Sequence, residues 1–342
     1  MRRLRILVLM HPDFVPPDST DGYTAQEINK WKTEYDVVST LRAAGHNVHP
    51  LGVQEEIKPV RDEIEGFRPH VVFTLLEEFH YQTAYDQHIA SFLELMKVPY
   101  TGCNPRGLVL ARGKDLSKTL VHHRRIAVPA FAVFPMRRKV KRPSRLGLPL
   151  IVKSLNEDGS QGISQASIVD TDEKLAERVA FIHERVATAA IAEQFIEGRE
   201  LYVSVLGNNR LKALPVWELK FGAMGGAHRI ATEKVKHDTS YQERIGIADG
   251  PAEDLAPEVS ALIQRTAKRI YRTLGLDGYA RIDFRLSSDG TPYFIEANPN
   301  PEIAESQEFA KAAQHDGINY PDLLHHILTL GIRRSKAGAS VG

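Results

Sequence analysis

An apolar run, Ile6-Leu7-Val8-Leu9-Met10, opens the chain and is closed by His11-Pro12; similar short runs return in "FRPHVVFTLL" and "PLIVKS". Runs of this length bounded by Pro and Gly predict buried strands. Between the first two the spacing turns helical, over residues 25–44, and stops at Gly45, a C-cap residue. "HNVHPL" predicts a short strand, a helix follows over residues 85–96, and "VPYTG" closes the pattern. Strands alternating with helices predict βαβ units and a small parallel sheet, with ligands gathered at the carboxyl ends of its strands. The loops after Met10 and Leu76 lie at those ends.

From Gly113 the pattern changes. A helix carrying Lys114 and Lys118 leads to "VPAFAVF", a basic connector, the strand "PLIVKS" and a Gly-rich turn, "NEDGSQGIS". A helix over residues 172–187, then "AAIAEQFIEGRELYVSVLG" as strand, turn and strand, lead into a polar segment over 218–241 with little periodicity. A helix over 256–274, a hairpin and the terminal helix "YPDLLHHILTLGI" complete the order, without internal repeats. The expected division is an N-terminal α/β domain (1–112), a central lobe (113–190), a C-terminal lobe (191–332) and a disordered tail (333–342).

Composition narrows the choice of partner. With 44 Lys+Arg against 43 Asp+Glu the net charge is +1, so no global field draws the chain to nucleic acid or a membrane surface. The basic runs "HHRR" and "RRKVKRPSR" carry no interleaved aromatics for base stacking and read as solvated connectors. The single cysteine, Cys103, cannot form an internal disulfide and reads as a small core residue. The first apolar run is too short for a signal peptide and no run approaches the ~18 residues that span a bilayer. These features predict a cytoplasmic protein that handles small molecules.

The hairpin "GYARIDFRLSSDGTPYFIEANPN" carries the chemistry. With Asp289-Gly290 as a two-residue turn, Asp283 falls opposite Glu296 and Arg281 opposite Asn298. Alternation puts these four on one face and Ile282, Phe284, Ile295 and Ala297 on the other. Directly opposed carboxylates destabilise a sheet unless a counter-charge intervenes. A divalent cation held by Asp283, Glu296 and Asn298 would supply it. Alternatively, Arg281 and Arg285 neutralise the acids on a solvated face. Upstream, Lys153 directly precedes the Gly-rich turn, a placement that can surround a polyphosphate with an ammonium and backbone N–H groups; a surface lysine on an ordinary hairpin is the alternative.

The order Lys114, Lys153 with its turn, "EQFIEGRE", Lys236, "RIDF" and "EANPNP" resembles the ATP-grasp superfamily, and within it the D-alanine–D-alanine ligases, over nearly the whole chain. The resemblance implies an ATP-grasp fold behind an N-terminal parallel α/β domain, and ATP as substrate with Mg²⁺, two ions, for which Mn²⁺ can substitute. It also implies a homodimer. By position, Lys114 and Lys153 match lysines on the nucleotide phosphates, and Ser160 the loop closing over them. Glu193 matches the acid at the adenine edge, Gln194, Phe195 and Ile196 the hinge, and Glu200 the ribose-binding acid. Lys236, or Lys234 under a small slip, matches the lysine reaching the terminal phosphate. Asp283, Glu296 and Asn298 match the magnesium ligands, and Arg281 the arginine that stabilises the reacting carboxylate and acyl phosphate.

The substrate segments depart from the pattern. The family's Ser-Ala-Glu, whose acid holds the first substrate's ammonium, reads Thr24-Ala25-Gln26-Glu27, so that acid is replaced by Gln26 or shifted to Glu27. Glu302 and Gln307 hold places where the ligases carry a Gly and a Ser. Glu302, Glu305 and Glu308 make a poor wall for an acceptor carboxylate and suit a cationic or uncharged amine, unless they form a solvent-facing helix start. The expectation is an ATP-dependent carboxylate–amine ligase with a different substrate pair. The alternatives are a genuine D-alanine–D-alanine ligase and a silent ATP-binding regulator, the latter disfavoured by Arg281 beside all three metal ligands.

Overall fold

The computed structural model describes residues 3–156, 164–222, 230 and 246–339, with side chains described as far as residue 335. β1 (Arg5–Met10) is followed by α1 (Ala25–Lys30), α2 (Lys32–Ala43), β2 (Asn47–Gly52), α3 (Lys58–Phe67), β3 (Val71–Thr74) and α4 (Asp86–Leu95). The strands make the expected parallel sheet, in the order β2-β1-β3. The helix predicted over 25–44 is broken at Trp31, whose backbone leaves the helical region. Its buried indole packs edge-on against Tyr23, ring centroids 5.5 Å apart, and that anchorage sets α2 off as a separate helix.

α5 (Pro105–Arg112) and α6 (Lys114–His123) lead into β4 (Phe131–Phe134), β5 (Leu150–Ser154), β6 (Ile168–Val169), α7 (Asp172–Phe181) and β7 (Ala190–Gln194). These strands form an antiparallel sheet, β4-β7-β5-β6, over a core of its own in which Phe134, Leu150, Val152 and Ala192 meet Leu175 and Val179 of α7. β8 (Arg199–Leu206), β9 (Lys212–Ala213), β10 (Trp217–Lys220), β11 (Ala248–Pro251), α8 (Pro257–Thr273), β12 (Tyr279–Leu286), β13 (Pro292–Pro299), α9 (Glu308–His315) and α10 (Tyr320–Ala339) complete the chain. The third sheet runs β11-β10-β8-β12-β13, with β9 paired to β8.

β7 and β8 belong to different sheets, so the predicted strand–turn–strand is a crossing between sheets, made by residues 195–198. Gly198 sits there at φ +144°, where a Cβ would collide with the Leu286 carbonyl. The first and third sheets, by contrast, share their interior. Leu7 and Leu9 on one face of β1 pack in a cluster with Val203, Ile270 and Phe284, while Ile6 and Val8 on the other face pack with Tyr279, Phe309 and Leu323. The period-2 alternation of one strand therefore joins two cores. Cys103 is buried, as expected, and burial pushes its thiol pKa up.

The C-terminus corrects the expected tail from residue 333: α10 continues to Ala339. Arg334 holds it, donating to the carbonyls of Gly102 (2.6 Å) and Tyr100 (2.8 Å) and to Asp277 (2.9 Å) while lying 3.9 Å over the Tyr100 ring. Charge-assisted bonds of this kind contribute more than neutral ones. Arg334→Ala is expected to cost about 2–3 kcal/mol in a urea melt and to raise amide exchange along the last turns of α10. Exchange unchanged there would show that the helix end is held by other contacts.

Candidate active site

The hairpin places the candidate residues through two departures that cancel. The turn has three residues, 288–290, closed by the Ser287 N–H on the Thr291 carbonyl (3.1 Å), with Gly290 at φ +81°. This three-residue loop with a left-handed glycine replaces the expected two-residue turn. A β-bulge beyond Asp283 then restores the register, so that Phe284 pairs with Phe294 while Asp283 faces Glu296 and Arg281 faces Asn298, as predicted. The bulged residue is Ile295. It leaves the apolar face to Phe294, which is fully buried, a correction to the predicted face of Ile282, Phe284, Ile295 and Ala297.

Pairing with β8 extends the polar face across three strands. Ser204, Arg281 and Asn298 form one rung, Tyr202, Asp283 and Glu296 the next, and Glu200 and Arg285 a third. The counter-charge to Asp283 is Arg281, whose Nε and Nη2 donate to its two oxygens at 2.8 and 2.9 Å, with Asn298 Nδ2 adding a bond at 3.0 Å. Arg285 donates to Glu200 (3.0 Å), which also accepts from the Tyr202 hydroxyl (2.9 Å). Two arginines thus neutralise two acids, but not on a solvated face: Asp283 and Arg285 are each 6% exposed. Arg281 also lies 4.6 Å over the Tyr202 ring and 3.8 Å from Glu308.

A second charged centre lies where α6 and the central sheet meet the hairpin. Glu193 on β7 is 1% exposed and lies 3.3 Å from Lys118 and 3.4 Å from Lys153, both through Oε2. Its Oε1 is buried and has no hydrogen-bond partner among the described residues. Burial opposes its ionisation, yet the two ammonium groups hold its pKa below the ordinary carboxylate value. Burial pushes Lys118 down to about 8 against the pull of Glu193; on Lys153 the neighbouring glutamates prevail over burial and push the pKa up. Lys118 also donates to the carbonyl of the bulged Ile295 and sits 5.5 Å from the Phe294 ring centroid.

Of the other predicted residues, Lys114 is buried at the start of α6 and Ile196 is buried beyond β7, its carbonyl accepting from Arg285 Nε (3.1 Å). The Gln194 and Phe195 N–H groups donate to Ala130 (2.7 Å) and Pro149 (3.0 Å). Ser160, Lys234 and Lys236 lie outside the described residues. Gln26 is exposed. Glu27 caps its own helix, accepting from the Thr24 N–H at 2.8 Å and the Thr24 hydroxyl at 2.7 Å. Glu302 accepts from the Thr33 hydroxyl of α2 (3.1 Å), and the Glu305 N–H donates to Asp36 (3.0 Å). Gln307 is the N-cap of α9, so Glu302 and Glu305 precede the helix and only Glu308 lies in its first turn.

Sequence reasoning assigned no role to Lys118 or Tyr202. Lys118 is one helical turn from Lys114 and shares its face; Tyr202 follows Glu200 on the same face of β8. Both signals were available, but what each side chain meets depends on strands distant in sequence.

Residues 120–329 match the family model described as the D-ala D-ala ligase C-terminus. The D-alanine–D-alanine ligase of Bordetella petrii is 35% identical over 247 residues, 71% of each chain. The uncharacterized protein y4sG of Sinorhizobium fredii is 29% identical over 306 residues, 87% of each. Among solved structures, the Bacillus anthracis D-alanine–D-alanine ligase complexed with ATP superposes with a TM-score of 0.74 at 21% identity, over 98% of this chain and 99% of that one. The chain belongs to the D-alanine–D-alanine ligase family, ATP-dependent ligases of the ATP-grasp class that form C–N bonds. Among the described residues no helix is long and apolar enough to cross a membrane.

One acid on the N-terminal side of the site sets a pH dependence. Glu34 of α2 is 7% exposed, and burial, with Glu77 and Glu302 nearby, pushes its pKa up from 4.5 to about 7. Between those values the folded chain holds a proton that the unfolded chain has lost. The Glu34 contribution to stability therefore falls as pH rises from about 4.5 to about 7 and is level above. Glu34→Gln is expected to be more stable than the parent at pH 8 by about 1–3 kcal/mol and close to it at pH 4.5. Urea melts at the two pH values check this; an equal offset at both would contradict it.

Proposed function

We propose that the chain is a Mg²⁺-dependent carboxylate–amine ligase whose substrate pair differs from two D-alanines. The observation that carries this reading is the contrast between the two sides of the site. On the nucleotide side Lys114, Lys153, Glu193 and Glu200, which match the family's residues by their order in the sequence, are buried or half-buried. On the substrate side the acid is missing from Gln26, Glu27 is spent on a helix cap, and Glu34 lies near Glu77 and Glu302. Such an acidic wall favours a cationic or uncharged amine over an amino acid that presents a free carboxylate.

The chemistry follows from the poor electrophilicity of a carboxylate. A substrate oxygen attacks the terminal phosphorus of ATP, ADP leaves, and the amine then displaces phosphate from the acyl phosphate to form the amide. Asp283, Glu296 and Asn298 offer the hard oxygen donors that Mg²⁺ takes, and the bound ion would supply charge neutralisation at the phosphates. Arg281, fixed by Asp283 and stacked on Tyr202, presents the remaining positive charge to the reacting carboxylate. Lys236 and Ser160 complete the phosphate side in this reading. A second reading, D-alanine–D-alanine ligation, is favoured by the identity to the Bordetella petrii enzyme.

Magnesium-dependent phosphate release with D-alanine alone, beside single and paired amino acids and polyamines with products weighed, separates the two. Turnover with another pair and silence with D-alanine is expected; a D-alanyl-D-alanine mass would overturn the proposed difference. Arg281→Ala is expected to keep ATP binding while losing about 10²–10³-fold in turnover, and undiminished product formation would remove Arg281 from the reaction.

A further inference from the structure

We propose that Lys118 is a positioning residue that fixes the Glu193 carboxylate for base recognition and ties it to the metal-side strand through the Ile295 carbonyl. This rests on the reading above that Glu193 faces the adenine edge. Lys118 is fully buried, its ammonium committed to Glu193 and the Ile295 carbonyl. Its ammonium lies 3.3 Å from Glu193 Oε2 and donates to Ile295, the extra residue of the bulge, whose neighbour in sequence is Glu296. One side chain of α6 thus links β7 of the central sheet with β13 of the third sheet.

The two oxygens of Glu193 have different fates, and this difference gives the link its consequence. Oε2 faces both lysines, while Oε1 is buried and unpartnered among the described residues. A buried acceptor left without a donor is costly. An exocyclic amino group, which adenine presents and guanine replaces with a carbonyl oxygen, would satisfy it. Holding Oε2 with two cations keeps the carboxylate ionised and stops it from rotating, so that Oε1 is the oxygen left for a base. Without Lys118, Lys153 is the one remaining cation at Oε2 among the described residues, and it is also the residue assigned to the phosphates.

The test is calorimetric titration of the whole chain with the non-hydrolysable triphosphates AMP-PNP and GMP-PNP, with and without Mg²⁺. Lys118→Met is expected to weaken AMP-PNP binding about 10–100-fold, the range for a lost hydrogen bond to a charged group, and to reduce the adenine-to-guanine preference. In a Glu193→Gln background the same substitution is expected to change binding much less, because coupled residues are non-additive. A purely structural role would lower the melting temperature, leave the base preference unchanged and add independently to Glu193→Gln; that outcome overturns the inference. If the Met variant does not fold, Lys118→Arg decides in the same titration. The planar fork cannot reproduce both contacts, and an unchanged base preference overturns the proposal. Absence of AMP-PNP binding by the parent chain would instead overturn the functional reading on which it rests.

Discussion

A fully buried carboxylate survives as an anion only beside compensating cations, and Glu193 has two, Lys118 and Lys153, within 3.4 Å. An isolated ion pair at such depth would gain little over apolar packing, because desolvation offsets attraction. Here the arrangement joins separate parts of the fold: β7 supplies the acid, β5 and α6 the lysines, and β13 the carbonyl that accepts a hydrogen bond from Lys118. β7 and β13 are consequently held in relation to each other by one cluster.

The same alternation of charge runs along the polar face of the third sheet. Arginines on β12 are matched to acids on β12 and β8, each through side chains that alternation brings to one side. The acids are thereby held in place before any ligand arrives, at the cost of letting Arg281 occupy both oxygens of Asp283. A divalent ion held here would share Asp283 with a guanidinium.

Local signals made much of this legible. Turn residues, period-2 alternation and short apolar runs give the parallel sheet, the hairpin and the identity of its polar face, because each depends on neighbours in sequence. The break at Trp31, the continuation of α10 past residue 333 and the partners of Lys118 depend on Tyr23, Tyr100 and Ile295, which reach those positions only through tertiary packing. Glu27 shows the opposite difficulty. Its spacing from Thr24 is that of a capping box, a local pattern legible in the sequence, but the family comparison offered it a substrate instead. The polar face of the hairpin comes out as expected although the turn and β13 each hold one residue more than the two-residue turn and regular strand imply, since the two additions cancel.

The bulge has a use that the register does not require. Ile295 is the residue by which β13 exceeds β12, so a strand lacking it would still set Glu296 against Asp283 and Phe294 against Phe284. What Ile295 adds is the carbonyl that Lys118 of α6 holds. The extra residue of the strand therefore serves the contact between α6 and β13, while the order of the polar face is kept by the pairs on either side of it.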